Sequence, residues 1–248
     1  VYEFIKKNIH LASISGGTDI VSCFVLGNPN GPVYSGEIQC KGLGMDIDIF
    51  DEQGKSVTNK KGELVCKTPF PSKPLFFWND NNNQKFNEAY FNKYSNKWHH
   101  GDYAKITVND GFIIYGRSDA TLNSGGVRIG TAELYRVVEN IENIVECIAV
   151  ELQHLNDTQV ILFLKLIPNK LINDELILKV RNQIKNLLSP KHIPAKIIQV
   201  QDIPKTKNGK IVELTVKKIM NNEAVLNLNT LINPECLQEY KEIAAKLN

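Results

Sequence analysis

The sequence predicts an α+β protein built from two unlike halves. Three observations carry that prediction. Residues 1 to about 117 are strand-rich, with short apolar or alternating runs set between Gly- and Asn-containing turns. From about residue 120, helical and strand patterns interleave in the order helix, strand, strand, helix, strand, helix. Between the two patterns lies Gly116-Arg117-Ser118-Asp119, a short polar link of the kind that acts as a hinge.

The opening Tyr2-Glu3-Phe4-Ile5 reads as the tail of a helix leading into a strand. Residues 21–26 form a short apolar run, and residues 46–50 alternate with period two before a turn at Gly54. Glu63-Leu64-Val65-Cys66 follows a Lys-Gly turn. Residues 104–108 and 112–115 flank Asn109-Asp110-Gly111, a hairpin signal because Asp and Gly tolerate positive φ. The Asn-rich stretch 79–97 reads as a loop with one helical turn.

In the second half, Thr131 is placed to cap a helix through Leu134, Val137, Val138 and Ile141. Residues 144–152 and 159–167 read as strands. Asn173 caps a second helix whose apolar face is Leu176, Ile177, Val180, Ile184, Leu187 and Leu188, and Pro190 stops it. A strand at 196–200, a helix at 213–220 and a last helix starting at Asn233-Pro234 complete the reading. The expected domains are residues 1–118, residues 119–221 and a tail of 222–248 that carries a helix.

Composition narrows the function classes. With 29 Lys+Arg against 27 Asp+Glu, the net charge of +2 is too small to argue for nucleic acid or a membrane surface. No apolar run approaches the roughly 18 residues of a membrane span. The five cysteines are odd in number and include no C-x-x-C pair, so neither a disulfide framework nor a metal cluster is expected. A cytoplasmic location is the natural reading of that cysteine usage.

Four segments carry residues suited to nucleotide chemistry. Ser13-Ile14-Ser15-Gly16-Gly17-Thr18-Asp19 combines glycines that admit a close phosphate with a hydroxyl and a carboxylate suited to phosphate oxygen and Mg²⁺; a plain Gly-rich turn is the alternative. In Trp98-His99-His100-Gly101-Asp102, the aspartate is placed to accept from both ribose hydroxyls. The paired histidines point different ways in an extended chain, which favours a structural or surface role for both. Residues 115–130 place Arg117 and Arg128 around a Gly125-Gly126 turn, suiting ribose and phosphate contacts or simply an exposed interdomain loop. Pro204-Lys205-Thr206-Lys207-Asn208-Gly209-Lys210 offers a lysine on a Gly-containing loop, a mobile point charge or a solvated basic turn.

Taken together and in this order, these segments resemble the ATP-dependent acyl-adenylate-forming superfamily, and the resemblance covers essentially the whole chain. Within it, Ser13-Ile14-Ser15-Gly16-Gly17-Thr18-Asp19-Ile20 is similar to the version found in acetoacetate-activating members; most other relatives carry Thr-Glu there. The resemblance implies the β-rich end of a large AMP-binding domain, truncated at its N-terminus, followed by a small mobile α+β lid domain. It implies ATP, Mg²⁺, CoA and acetoacetate as small-molecule partners, with no nucleic acid and no membrane insertion.

Residue by residue, the resemblance implies that Gly17 and Thr18 meet the α-phosphate and Asp19 the Mg²⁺ region. Asp102 and Arg117 would hold the ribose, and Asp119 would be the hinge. Gly125, Gly126 and Arg128 would line the face where the CoA thiol enters. Lys210 would reach the carboxylate and α-phosphate during adenylation. The superfamily's Ser/Thr/Gly-rich phosphate loop is absent from this chain, so the isolated polypeptide is expected to be inactive and the missing N-terminal part to be a partner. Alternatives are a ligase for acetate or propionate, or a non-catalytic remnant of an interrupted gene.

Overall fold

A computed structural model describes residues 1–154, 157–225 and 228–247. The chain divides into two compact units, Val1–Ser118 and Asp119–Asn248.

In the first unit, β1 (Ser15–Gly17), β2 (Ser22–Leu26) and β3 (Cys40–Lys41) make a small antiparallel sheet in that order. A four-stranded antiparallel sheet follows, β4 (Ile47–Phe50), β5 (Gly62–Cys66), β6 (Trp98–Ile106) and β7 (Phe112–Arg117), again in sequence order. The β6–β7 hairpin turns at Asp110, which has a φ of 58°, as the Asn-Asp-Gly signal predicts. One core joins both sheets through Phe24, Ile47, Ile49, Leu64, Trp98 and Phe112. All four residues of β4 are buried, so its period-two pattern does not mark a solvent face.

Two readings of this half are corrected. Residues 1–8 contain turns only, with Ile5 N–H bonded to Val1 O, because the Lys-rich end offers no apolar stripe to anchor a helix. The Asn-rich loop holds more helix than expected. In α1 (Gln84–Tyr90), Phe86 and Tyr90 are buried four residues apart, and Asp80 accepts the backbone N–H groups of Lys85 and Phe86. Tyr90 stacks on Trp98 at 3.7 Å, so packing outweighs the weak local propensity of the asparagines.

The second unit begins with the hairpin β8 (Leu122–Ser124) and β9 (Val127–Ile129), then α2 (Thr131–Val138). Its main sheet has β10 (Ile144–His154) antiparallel to β11 (Asp157–Leu166), which pairs in parallel with β12 (Lys196–Gln199). The helices are α3 (Asp174–Leu187), α4 (Glu213–Met220) and α5 (Leu237–Leu247). Alternation along β10 and β11 assigns the two faces of the sheet. Ile148, Val150, Ile161 and Phe163 pack with α4 and α5; Cys147, Ala149, Leu162 and Leu164 pack with α2, α3 and the hairpin. Both faces are therefore covered by helices. Tyr240 of α5 is fully buried against Phe163, so the last helix belongs to this core.

Asn173 caps α3 as predicted, accepting the Leu176 N–H at 2.9 Å. Thr131 does not cap α2. Gly130 is the cap, and the Glu133 side chain accepts its N–H at 3.0 Å. No helix among the described residues is long and apolar enough to cross a membrane. The five cysteines are free thiols.

Candidate functional site

In the first unit, a hairpin and a long strand bring distant residues into one polar cluster. The turn after β1 carries Thr18 and Asp19, both largely exposed. β6 carries His100 and Asp102, and Arg117 ends β7 directly opposite Asp102 in register. Arg117 Nη1 lies 3.6 Å from Asp102 Oδ1 and donates to the His100 carbonyl at 2.7 Å. Gly101 makes room for this. Its φ is +83°, and a Cβ there would sit 2.8 Å from the Arg117 guanidinium. Asp102 and Arg117, assigned to one ribose by resemblance, are thus neighbours.

His100 lies at the centre of the cluster. Its Nδ1 is 2.9 Å from Asp102 and its Nε2 is 3.2 Å from Asp19. Tyr90 donates to the other Asp19 oxygen at 2.6 Å. Burial would lower the imidazole's pKa, but the Asp102 and Asp19 carboxylates outweigh that and raise it above the ordinary value. Burial would raise Asp19; hydrogen bonds from Tyr90 and His100 instead hold it below the usual range. Gly17 is needed where it stands, since a Cβ would fall 2.1 Å from Asp19 Oδ1 and 2.6 Å from His100 Nε2. Each Asp19 oxygen has one hydrogen-bond partner, Tyr90 or His100. No group of three acidic, His or Cys side chains converges into a metal site among the described residues.

The sequence reading missed three residues here. For His100 the structural half of the reading fits, since its side chain is only 10% exposed, but its two carboxylate partners were not foreseen. Its closeness to Asp102 in the sequence was the available signal. Tyr90 lies 71 positions from Asp19 and left no local signal. The third is Glu63, 2% exposed, which bonds Lys93, His99 and Ser118 just ahead of the predicted hinge. Burial would raise its carboxyl, but the His99, Lys93 and Ser118 contacts hold it far below the carboxylate range. His99 and His100 do face opposite ways, as the extended strand requires.

In the second unit, Asp119 is exposed in a short 3-10 turn. Gly125 and Gly126 form the exposed tip of the β8–β9 hairpin, where Asn123 Oδ1 accepts the Gly126 N–H at 3.1 Å. Lys191 reaches the same tip; a Cβ on Gly125 would lie 2.7 Å from its ammonium. Arg128 Nε donates to Thr121 Oγ1 at 2.9 Å. Lys210 closes an exposed turn in which its backbone N–H bonds Thr206 Oγ1 and its carbonyl accepts from Thr206 N–H. Glu213, one turn later, is bonded by Tyr135 at 3.2 Å, and burial raises its carboxyl.

This arrangement can grip a ribose diol through Asp102 and Arg117, and can present backbone N–H groups and a hydroxyl to a phosphate at residues 17–19. A cleft of about 520 Å³ lies elsewhere, lined by Phe70, Lys73, Phe86, Phe91 and Trp98 among others, with none of the predicted residues in it.

No family model matches the chain. Over nearly its whole length it is homologous to acetoacetyl-CoA synthetases. It is 51% identical over 237 residues to that of Rhizobium meliloti (strain 1021), covering 96% of this chain and 36% of that protein. It is 44% identical over 245 residues to that of Macaca fascicularis, covering 98% of this chain and again 36% of the relative. The chain therefore spans little more than a third of these relatives' length. The structure of acetoacetyl-CoA synthetase from Streptomyces lividans superposes with a TM-score of 0.90 at 37% identity, over 96% of this chain and 36% of that one. An anthranilate CoA ligase, AuaEII, in complex with anthranoyl-AMP, superposes with a TM-score of 0.69 at 21% identity, over 79% of this chain and 37% of that one, and shares the fold.

Proposed function

We propose that this chain, a homologue of the acetoacetyl-CoA synthetases within the adenylate-forming ligases, is the C-terminal part of an ATP-dependent acetoacetate–CoA ligase. The observation that carries the reading is the joined set Asp102, Arg117, His100 and Asp19, in which a ribose grip and a phosphate-facing turn share hydrogen bonds.

In this reading the acid's carboxylate oxygen attacks the α-phosphorus of ATP. The bond to the β-phosphate oxygen breaks, pyrophosphate leaves, and an acyl-adenylate forms. Asp102 and Arg117 hold the ribose, so the α-phosphate is positioned before reaction. Thr18 and the backbone at Gly17 meet that phosphate. Lys210 supplies positive charge as negative charge builds on the transferring group. In the second step the CoA thiol attacks the acyl carbon, the bond to the phosphate oxygen breaks and AMP departs. The Gly125-Gly126 tip offers an unhindered backbone beside the incoming thiol arm, with Arg128 and Lys191 as nearby cations. Two poses of a unit pivoting at Asp119 would serve the two steps. Any magnesium would travel with ATP. The cytoplasm is the compartment that fits the free thiols.

The test compares the isolated chain with a full-length form, natural or made by joining the chain to the remaining part of the Rhizobium meliloti relative. The full-length form is expected to make acetoacetyl-CoA from acetoacetate, ATP and CoA, and the isolated chain none. Preference for acetate or propionate in a substrate panel would overturn the choice of acid. Substantial turnover by the isolated chain would overturn its reading as a partial site.

A further inference from the structure

Asp19 lies in the turn after β1 and Asp102 on β6, 83 positions apart, yet one imidazole bonds both, at 3.2 and 2.9 Å. The same residue's carbonyl accepts the Arg117 guanidinium at 2.7 Å. His100 thus touches three residues that the resemblance assigns to one nucleotide. Its ring is packed edge-on against Phe24, with ring centroids 4.9 Å apart, and the missing Cβ of Gly17 leaves just the space the ring nitrogen occupies. The imidazole lies between the two carboxylates and, by bonding each, ties their rotamers to one another.

We propose that His100 is a positioning residue for adenylation, a strut that fixes the phosphate-facing Asp19 relative to the ribose-binding Asp102 and Arg117. The inference rests on the reading of the chain as part of a ligase. It gives His100 no contact with the reacting atoms. Its effect passes through its neighbours, so removing His100 should cost little once a neighbour it positions is already lost.

The experiment measures acetoacetate-dependent ATP–pyrophosphate exchange in the full-length ligase. It uses His100→Asn, Asp19→Asn and the double variant, with thermal unfolding recorded for each. His100→Asn is expected to lower kcat/KM for ATP tenfold or more, while KM for acetoacetate changes less than twofold. The double variant should be no more than about twofold worse than Asp19→Asn alone, the non-additivity of a shared strut. Should His100→Asn fail to fold, His100→Gln takes its place, since its longer amide still reaches one carboxylate. Unchanged ATP kinetics, or losses that multiply in the double variant, overturn the proposal. A folded parent with no acetoacetate-dependent exchange overturns the ligase reading instead, whereas an active parent with indifferent His100 variants overturns this inference alone.

Discussion

Asp19, Asp102 and Arg117 in the first unit are each held through His100, whereas Lys210 and the Gly125-Gly126 pair in the second stand on exposed turn tips. Among the described residues no hydrogen bond or ion pair reaches the Lys210 ammonium, and no atom would lie within 4 Å of a Cβ on Gly126. On the function proposed above, the difference is one of physical task. A group that grips a nucleotide works best with its rotamers fixed in advance, because ordering them on binding costs entropy. On the same reading, a group that serves only one of two steps must be free to approach and leave the nucleotide, and an exposed turn tip allows that. Rigidity and openness are distributed accordingly, with polar networks under the first set and turns under the second.

Lys210→Ala in the full-length ligase should have the largest effect and tests the open side of this contrast. Loss of one positive charge at the transferring group should lower adenylate formation by about 100- to 1,000-fold. Thioester formation from supplied acyl-adenylate should persist. Equal losses in the two half-reactions, followed separately, would remove the idea that Lys210 serves one step.

Gly17→Ala probes the rigid side. The new methyl must displace Asp19 or the His100 ring, so kcat/KM for ATP should fall by about tenfold, roughly 1.4 kcal/mol. If nucleotide kinetics stay at the parent level, the cluster is more yielding than its contacts suggest.

Glu63 sharpens the contrast through stability. Its folded carboxyl sits below the ordinary glutamate value of about 4.3, held there by His99, Lys93 and Ser118 despite burial. Its stabilising contribution is therefore full above the unfolded value and is lost as pH falls from there towards the folded one. Glu63→Gln should cost about 1–3 kcal/mol near neutral pH, because it strips charged hydrogen bonds from a buried site. Urea titrations between pH 7 and pH 3 should show a shallower acid loss in the variant; parallel curves would mean that other carboxylates set the acid limit.

Asn173→Ala is the mildest change. It removes the side-chain cap of α3 and should cost about 1 kcal/mol. The chevron or melting shift should appear in the second unit, leaving ATP kinetics of the full-length enzyme unaltered. An altered KM for ATP would show that the cap matters beyond its own helix.

Elements with a strong local period were legible in the sequence. α3 had its cap, its apolar stripe and its terminal proline in order, and the hairpin at Asp110 had its turn residues. α1 was not legible, because three consecutive asparagines precede it and its stability comes from Phe86 and Tyr90 packing beside Trp98. The cap of α2 was misplaced by one residue, since Gly130 has no side chain and the capping bond comes back from Glu133.

The chain's residues alone determined, as expectations, the two-part organisation, the glycines at the turns and a set of groups suited to nucleotide chemistry. These are properties of single residues and short spacings, which propensity and charge express directly. Which of those groups meet was decided by tertiary structure. The 83 positions between Asp19 and Asp102 carry no local trace of the single imidazole that spans them, and the burial of Glu63 among a lysine, a histidine and a serine depends on strands paired across the sheet. Long-range pairing fixes such contacts because each is made only after the backbone has closed the distance, a step no short window of sequence encodes.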